Sequence, residues 1–266
     1  MAEEPLRPAP PDSRAKTSKT HRHHRNPAQT LARVNASVIP SQWGCTEFLA
    51  GYPEMTLEPA GNESIRLTGS FRFLASRLGE AGSLEDQFQV VIEVPQIFPR
   101  EIPAVFETGG RIPRLPQYHV NSDGSLCLGS PIHLLLIAAK HPTLLGFVDH
   151  ILVPFLLAIS TSLATGQAFL FGELAHGVPG ALADYQELFQ LKTPDQAKLA
   201  LHALTLRKRL ANKLSCPCGC GLRLGKCRLR LKLNPLRIAA SRAWFGRQLL
   251  HANGAKPQSL RTAQSS

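Results

Sequence analysis

The chain has 266 residues and a net charge of +11, and that charge lies in its ends: residues 1–30 hold six Lys and Arg against three acids, 31–191 eight against fifteen, and 192–266 sixteen against one. The length suits one medium domain with extensions, and the charge asymmetry assigns any acidic partner to the tail and not to the body. No secretory apolar run follows the start, residues 144–163 are interrupted by Asp149, His150 and Pro154, and neither a phosphate-binding glycine motif nor a solenoid repeat is present; export, a membrane span and a nucleotide-driven enzyme are set aside, and a soluble, cytoplasmic protein is expected.

Residues 1–30 are rich in Pro, Arg, His and Ser and hold no apolar run, so they read as a disordered arm, with His21, His23 and His24 as part of its polar character. The conjectured body is 31–191. Within it Ile65, Leu67, Gly69, Phe71 and Phe73 alternate with Arg66, Thr68, Ser70 and Arg72, which predicts a strand with one buried face. After the turn-forming residues 78–83, a second alternation puts Phe88, Val90, Ile92 and Val94 on one face, and the two strands make an antiparallel hairpin. Pro95, Pro99 and Pro103 forbid a helix, and residues 104–108 read as a further short strand.

Residues 109–131 are dense in Gly, Pro, Ser, Asn and Asp and form a loop with turns at Asn121 and Gly124; Cys127 lies in it. Helices are expected over 144–163, with a kink at Pro154, and over 181–191, so the order is strands first and helices afterwards, an α+β class. His176, followed by Gly177, reads as a helix-terminus residue. From Pro194 a helix is expected with Leu199, Ala203, Leu206 and Leu210 on its apolar face.

Six cysteines are present, and Cys216, Cys218, Cys220 and Cys227 fall within twelve residues. That spacing suggests a metal site and not a disulfide framework, while Cys45 and Cys127 stand alone as packed thiol or nucleophile. Four thiolates about a tight turn suit structural zinc, with Gly219 and Gly221 supplying the backbone freedom. Around them Arg223, Lys226, Arg228, Arg230, Lys232 and Arg237 can meet an acidic protein or nucleic acid, with only Trp244 and Phe245 as nearby aromatics for base stacking.

Two blocks carry a resemblance. The run Val91-Ile92-Glu93-Val94-Pro95-Gln96-Ile97-Phe98-Pro99, continued by Ile102-Pro103 and Phe106-Glu107-Thr108, resembles the strand-and-proline block of ubiquitin-conjugating enzymes, bacterial relatives in particular. Asn121-Ser122-Asp123-Gly124-Ser125-Leu126-Cys127-Leu128 resembles their active-site segment. The likeness spans roughly residues 55–190. It implies a UBC-like antiparallel sheet with flanking helices, followed by a small basic zinc-binding tail over 192–266. It further implies a transferase that takes a ubiquitin-like modifier as a thioester on Cys127 from a separate ATP-dependent activating enzyme and passes it to an amine.

The family's His-Pro-Asn triplet aligns with Gln117-Tyr118-His119, so His119 stands where that family has an oxyanion-supporting Asn. An imidazole can donate to developing negative charge, or it can simply order the loop; Asn121 is the other candidate donor, and also an ordinary turn residue. The tail resembles the zinc-binding tail of the SecA translocation ATPase in Cys216-Pro217-Cys218-Gly219 and Gly225-Lys226-Cys227, but has Cys220 for Ser, and Arg228 for the final ligand. Cys220 is then expected to replace that ligand. Two alternatives to the transferase remain: a non-catalytic binding module on the same fold, and a nucleic-acid- or partner-binding protein acting through its basic zinc tail.

Overall fold

The computed structural model describes residues 43–58, 64–76, 82–166 and 178–254, all within one compact unit, Val38–Ser266. The expected arm, and with it His21, His23, His24 and also His176, lies outside the described residues.

The architecture is α+β. A short helix α1 (Cys45–Gly51) leads into four strands, β1 (Met55–Glu58), β2 (Ser64–Ala75), β3 (Leu84–Pro95) and β4 (Ala104–Glu107), which form an antiparallel sheet in the order β1-β2-β3-β4. The long hairpin follows from its alternation: β2 and β3 pair in unbroken register from Ser64↔Pro95 to Ala75↔Leu84, which sets Phe71 opposite Phe88 and Leu67 opposite Ile92. Phe71, Phe73, Phe88, Val90 and Ile92 are all buried in one core. Gly69 has a positive φ of 143° and lies so close to β1 that a Cβ there would stand 2.1 Å from the Glu54 carbonyl oxygen, so glycine is what lets β1 pair.

One face of the sheet is covered by α3 (Leu144–Thr165), whose Phe147, Leu152, Phe155, Leu156 and Ile159 enter the same core. By length and composition alone this helix could cross a membrane, but over half of it is buried inside the unit. Just ahead of Pro154 the helix widens into a π turn over Val148–Leu152. Proline has no N–H to return to the preceding turn, and a register shift just before it accommodates the loss.

A second core is entirely helical. It joins α4 (Val178–Phe189), α5 (Pro194–Thr205), the single turn α6 (Lys208–Ala211), α7 (Leu229–Ala239) and α8 (Arg242–Ala252) through residues including Tyr185, Phe189, Leu201, Leu204, Leu233, Leu236 and Phe245. The expected boundary at 191/192 runs between α4 and α5, two helices that share this core. The expected apolar face of α5 is borne out at Ala203, which is buried, and corrected elsewhere: the helix ends at Thr205, Leu199 and Leu210 are exposed, and Ala197, Ala200, Leu201 and Leu204 complete the buried face. Leu201 and Leu204 fill this core while the alanines beside them let neighbouring helices approach closely.

The helix α2 (Pro131–Lys140) links the two cores, with Ala138 in the first and Ile132 and Leu135 in the second. Its proline occupies the first helical turn, where a missing N–H costs nothing, so the Gly129-Ser130-Pro131 run starts a helix where it reads as loop.

Candidate functional site

The segment that carries Cys127 leaves β4 at Glu107 and is pinned at once. The Glu107 carboxylate, itself buried, accepts from the backbone N–H groups of Gly109 (2.9 Å), Gly110 (3.0 Å) and Ile112 (3.4 Å). Next to it the Arg111 guanidinium donates to Asp86 (2.7 and 3.1 Å) and to the Gln87 carbonyl, and lies 4.4 Å over the Phe88 ring. Asp86 also accepts from Ser160 of α3 at 2.6 Å, so strand, loop and helix meet at one carboxylate. Burial works to raise the Asp86 pKa, but its bonds from Arg111, Ser160 and the Gln87 amide prevail and hold it below the ordinary carboxylate value.

A turn of 3₁₀ helix (Pro116–Tyr118) then delivers His119, and the chain doubles back through a small hairpin bridged at Val120↔Leu126. Asn121 builds its turn: its N–H donates to the Ser125 carbonyl (2.8 Å), its carbonyl accepts from Gly124 (2.9 Å), and its side-chain amide donates to the Ser125 hydroxyl (3.0 Å). Asp123 accepts from both the N–H and the hydroxyl of Ser125. These are Asx-turn bonds that shape the backbone. The returning arm is stitched to the sheet by the Phe106↔Ser125 bridge and by the Leu126 N–H on the Val105 carbonyl at 2.7 Å.

Cys127 therefore stands at the end of a rigid hairpin, with Leu126 buried beneath it and Leu128 packed against the core. Its N–H donates to the His119 carbonyl at 2.7 Å, so the hairpin brings these two residues together through the backbone. His119 is only 8% exposed and takes a left-handed φ of 55°, uncommon for a residue other than glycine. The Cys127 thiol is half-buried; burial pushes its pKa up, and a hydrogen bond from the Gly129 backbone N–H offsets this only in part. That N–H is a feature sequence reasoning missed, although a glycine two residues past the cysteine and just ahead of a helix start was its visible sign. Cys45, by contrast, is fully buried, and burial also raises its thiol.

The second cluster lies at the start of α7. A bridge at Ser215↔Arg223, with the Cys216 N–H on the Leu222 carbonyl (2.8 Å) and the Leu224 N–H on the Leu214 carbonyl (2.9 Å), forms a tight knuckle in which Gly219 and Gly221 take φ of 76° and 77°. The sulfurs of Cys216, Cys218, Cys220 and Cys227 all lie within 4.8 Å of one another, with Cys216 to Cys218 at 3.2 Å and Cys218 to Cys227 at 3.6 Å. Tetrahedral coordination at about 2.3 Å sets sulfurs ~3.8 Å apart, so this group can hold a metal ion. The Leu229 N–H, at the start of α7, approaches the Cys227 sulfur at 3.4 Å and lowers that thiol to about 7, with smaller help from the neighbouring cysteines. Burial raises Cys216 and Cys218.

Of the expected surface cations, Arg237 is corrected. It is turned inward, donating to the carbonyls of Ala203 (2.7 Å) and Leu206 (2.7 Å) at the end of α5, where a cation meets the unsatisfied carbonyls and the negative end of the helix dipole.

No protein-family model matches the chain, and no curated protein matches it.

Proposed function

We propose that the chain is the conjugating enzyme of a ubiquitin-like modification system. The Cys127 thiolate attacks the carbonyl of a modifier held as a thioester on a separate ATP-dependent activating enzyme, the enzyme's thiol leaves, and the modifier is carried as a new thioester on Cys127. An amine then attacks that carbonyl and Cys127 departs as thiolate. The observation that carries the reading is the presentation of Cys127: half-buried, on a hairpin pinned to β4, with the Gly129 N–H directed at its sulfur. A backbone N–H on the sulfur favours the thiolate, the form that attacks as nucleophile and departs as leaving group. The resemblance of residues 91–108 and 121–128 to ubiquitin-conjugating enzymes supplies the acyl group's identity. Asn121 is spent on its turn, so of the two sequence candidates His119 is the one we assign to supporting transfer.

In the same reading the four tail cysteines hold zinc, which is redox-inert and content with four thiolates. Closed coordination leaves no position for a water, so its part is to stabilise the knuckle. One observation favours a second reading, a non-catalytic binding module: burial keeps the Cys127 thiol protonated to higher pH than a free cysteine. The two separate on a non-reducing gel. With activating enzyme, ATP and a ubiquitin-like protein, the transferase gives an adduct that dithiothreitol removes, Cys127→Ser gives a dithiothreitol-resistant oxyester or none, and Cys127→Ala gives none. A binding module gives no adduct in any of the three.

A further inference from the structure

We infer that the outer face of α7 is a docking surface for an acidic, amphipathic helix of a partner protein. The inference is independent of the chemistry assigned to Cys127. Helix α7 turns Leu229, Leu233 and Leu236 into the helical core, yet its opposite face is also apolar: Leu231 is 58% exposed, Ile238 80%, and Pro235 between them is exposed too. Spacings of four and three residues align these side chains in one row along the helix. Single exposed leucines are ordinary, but a row at helical spacing is the arrangement that receives the i, i+3/i+4, i+7 anchors of another helix.

Charge identifies the occupant. Arg228, one turn ahead of Leu231, and Arg230 are exposed, and Lys232 flanks the row. Not one Asp or Glu occurs from residue 196 to the end of the chain. Among the described residues the ion pairs of the helical core are Lys198 with Asp195 and Arg247 with Glu101, and no described acid pairs with Arg228, Arg230 or Lys232. A second copy would bring the same cations face to face, which is unfavourable. Nucleic acid would satisfy the cations but has no use for a Leu-Pro-Ile row, and the aromatic residues of this core, Tyr185, Phe189, Trp244 and Phe245, are buried and closed to base stacking. A helix with Leu on one face and Glu beside it satisfies both features.

The test uses the full chain with a fluorescein-labelled designed helix of about 20 residues, Leu on one face and Glu on the others, against a single-stranded RNA and a DNA duplex of similar length. Fluorescence anisotropy should show binding to the peptide that weakens about tenfold between low and high salt. The double variant Leu231→Ser/Ile238→Ser should weaken it a further tenfold or so while its thermal midpoint stays within roughly 2 °C, and Lys232→Glu should weaken it separately. The inference is overturned by absence of peptide binding, by peptide binding that the double serine variant leaves unchanged, by tighter binding of either nucleic acid, or by a dimer in sedimentation that the double variant dissociates.

Discussion

Cys127 is subject to two opposed influences, burial and the Gly129 N–H, and burial is the larger. A raised thiol pKa means that the thiolate appears at higher pH than in a free cysteine. The rate of Cys127 alkylation by iodoacetamide should therefore rise with pH along a curve displaced to the alkaline side of free cysteine, read by mass spectrometry of the modified peptide; a curve displaced to the acid side would contradict the geometry. His119 carries two separable contributions. Its carbonyl holds the Cys127 N–H whatever side chain it bears, whereas its imidazole is what the transfer step would use. Both His119→Ala and His119→Gly should then load Cys127 normally and discharge it to a free amine about 10²-fold more slowly, the scale of one lost oxyanion donor. Glycine also relieves the left-handed backbone, so a loading defect in the alanine variant that glycine restores would assign His119 to loop geometry alone.

Among the elements, the β2–β3 hairpin was legible because its evidence is local: period-two alternation fixes which side chains are inward, and Phe71, Phe73, Phe88, Val90 and Ile92 are buried together, while the pairing of Phe71 with Phe88 is set by the register of the folded hairpin. Truncating Phe88 to Ala should cost about 3–5 kcal/mol, measured by urea denaturation, since it is fully buried. The α5 face was read correctly at Ala203 and misread in phase at Leu199, because the pattern was carried on to Leu206 and Leu210 past the helix end at Thr205, whereas Leu201 and Leu204 with Ala197 and Ala200 face the core. Arg237 looked like any other tail cation because a capping role depends on where α5 ends relative to α7, which no local pattern encodes. The cysteine spacing announced a cluster able to hold a metal ion, whereas the bracing of the loop by Glu107, Arg111 and Asp86 joins residues 86, 111 and 160 and left no sequence signal. The Asp86 carboxyl, held below its ordinary pKa, contributes stability that is present above the unfolded carboxylate range and lost as pH falls through its folded value. Asp86→Asn should accordingly lower stability by about 1–3 kcal/mol at neutral pH and flatten the acid side of a stability-versus-pH profile.

Over the whole molecule, packing and not charge attaches the helical core to the sheet. The ion pair between Arg247 and Glu101 is 40% exposed on each side, and such pairs contribute about 0–1 kcal/mol, whereas α2 buries Ile132 and Leu135 in one core and Ala138 in the other. The cysteine knuckle belongs to the helical core through Cys216 and Leu224. A titration of accessible thiols should reflect this organisation: about one reactive thiol in the zinc-loaded chain, about five after chelation, and all six only on unfolding, because Cys45 alone is fully buried. Chelation should lower the thermal midpoint without abolishing loading of Cys127, whose hairpin is braced from the sheet side by Glu107 and Arg111.

Of the six cysteines, Cys127 is the proposed acyl acceptor. After incubation with activating enzyme, ATP and a ubiquitin-like protein, the unreduced adduct is digested with trypsin and mapped by mass spectrometry. Residues 115–140 form one tryptic peptide with Cys127 as its single cysteine, and the thiol-labile modifier remnant is expected there. A remnant on Cys45 or on any of the four knuckle cysteines, with peptide 115–140 unmodified, would contradict that assignment.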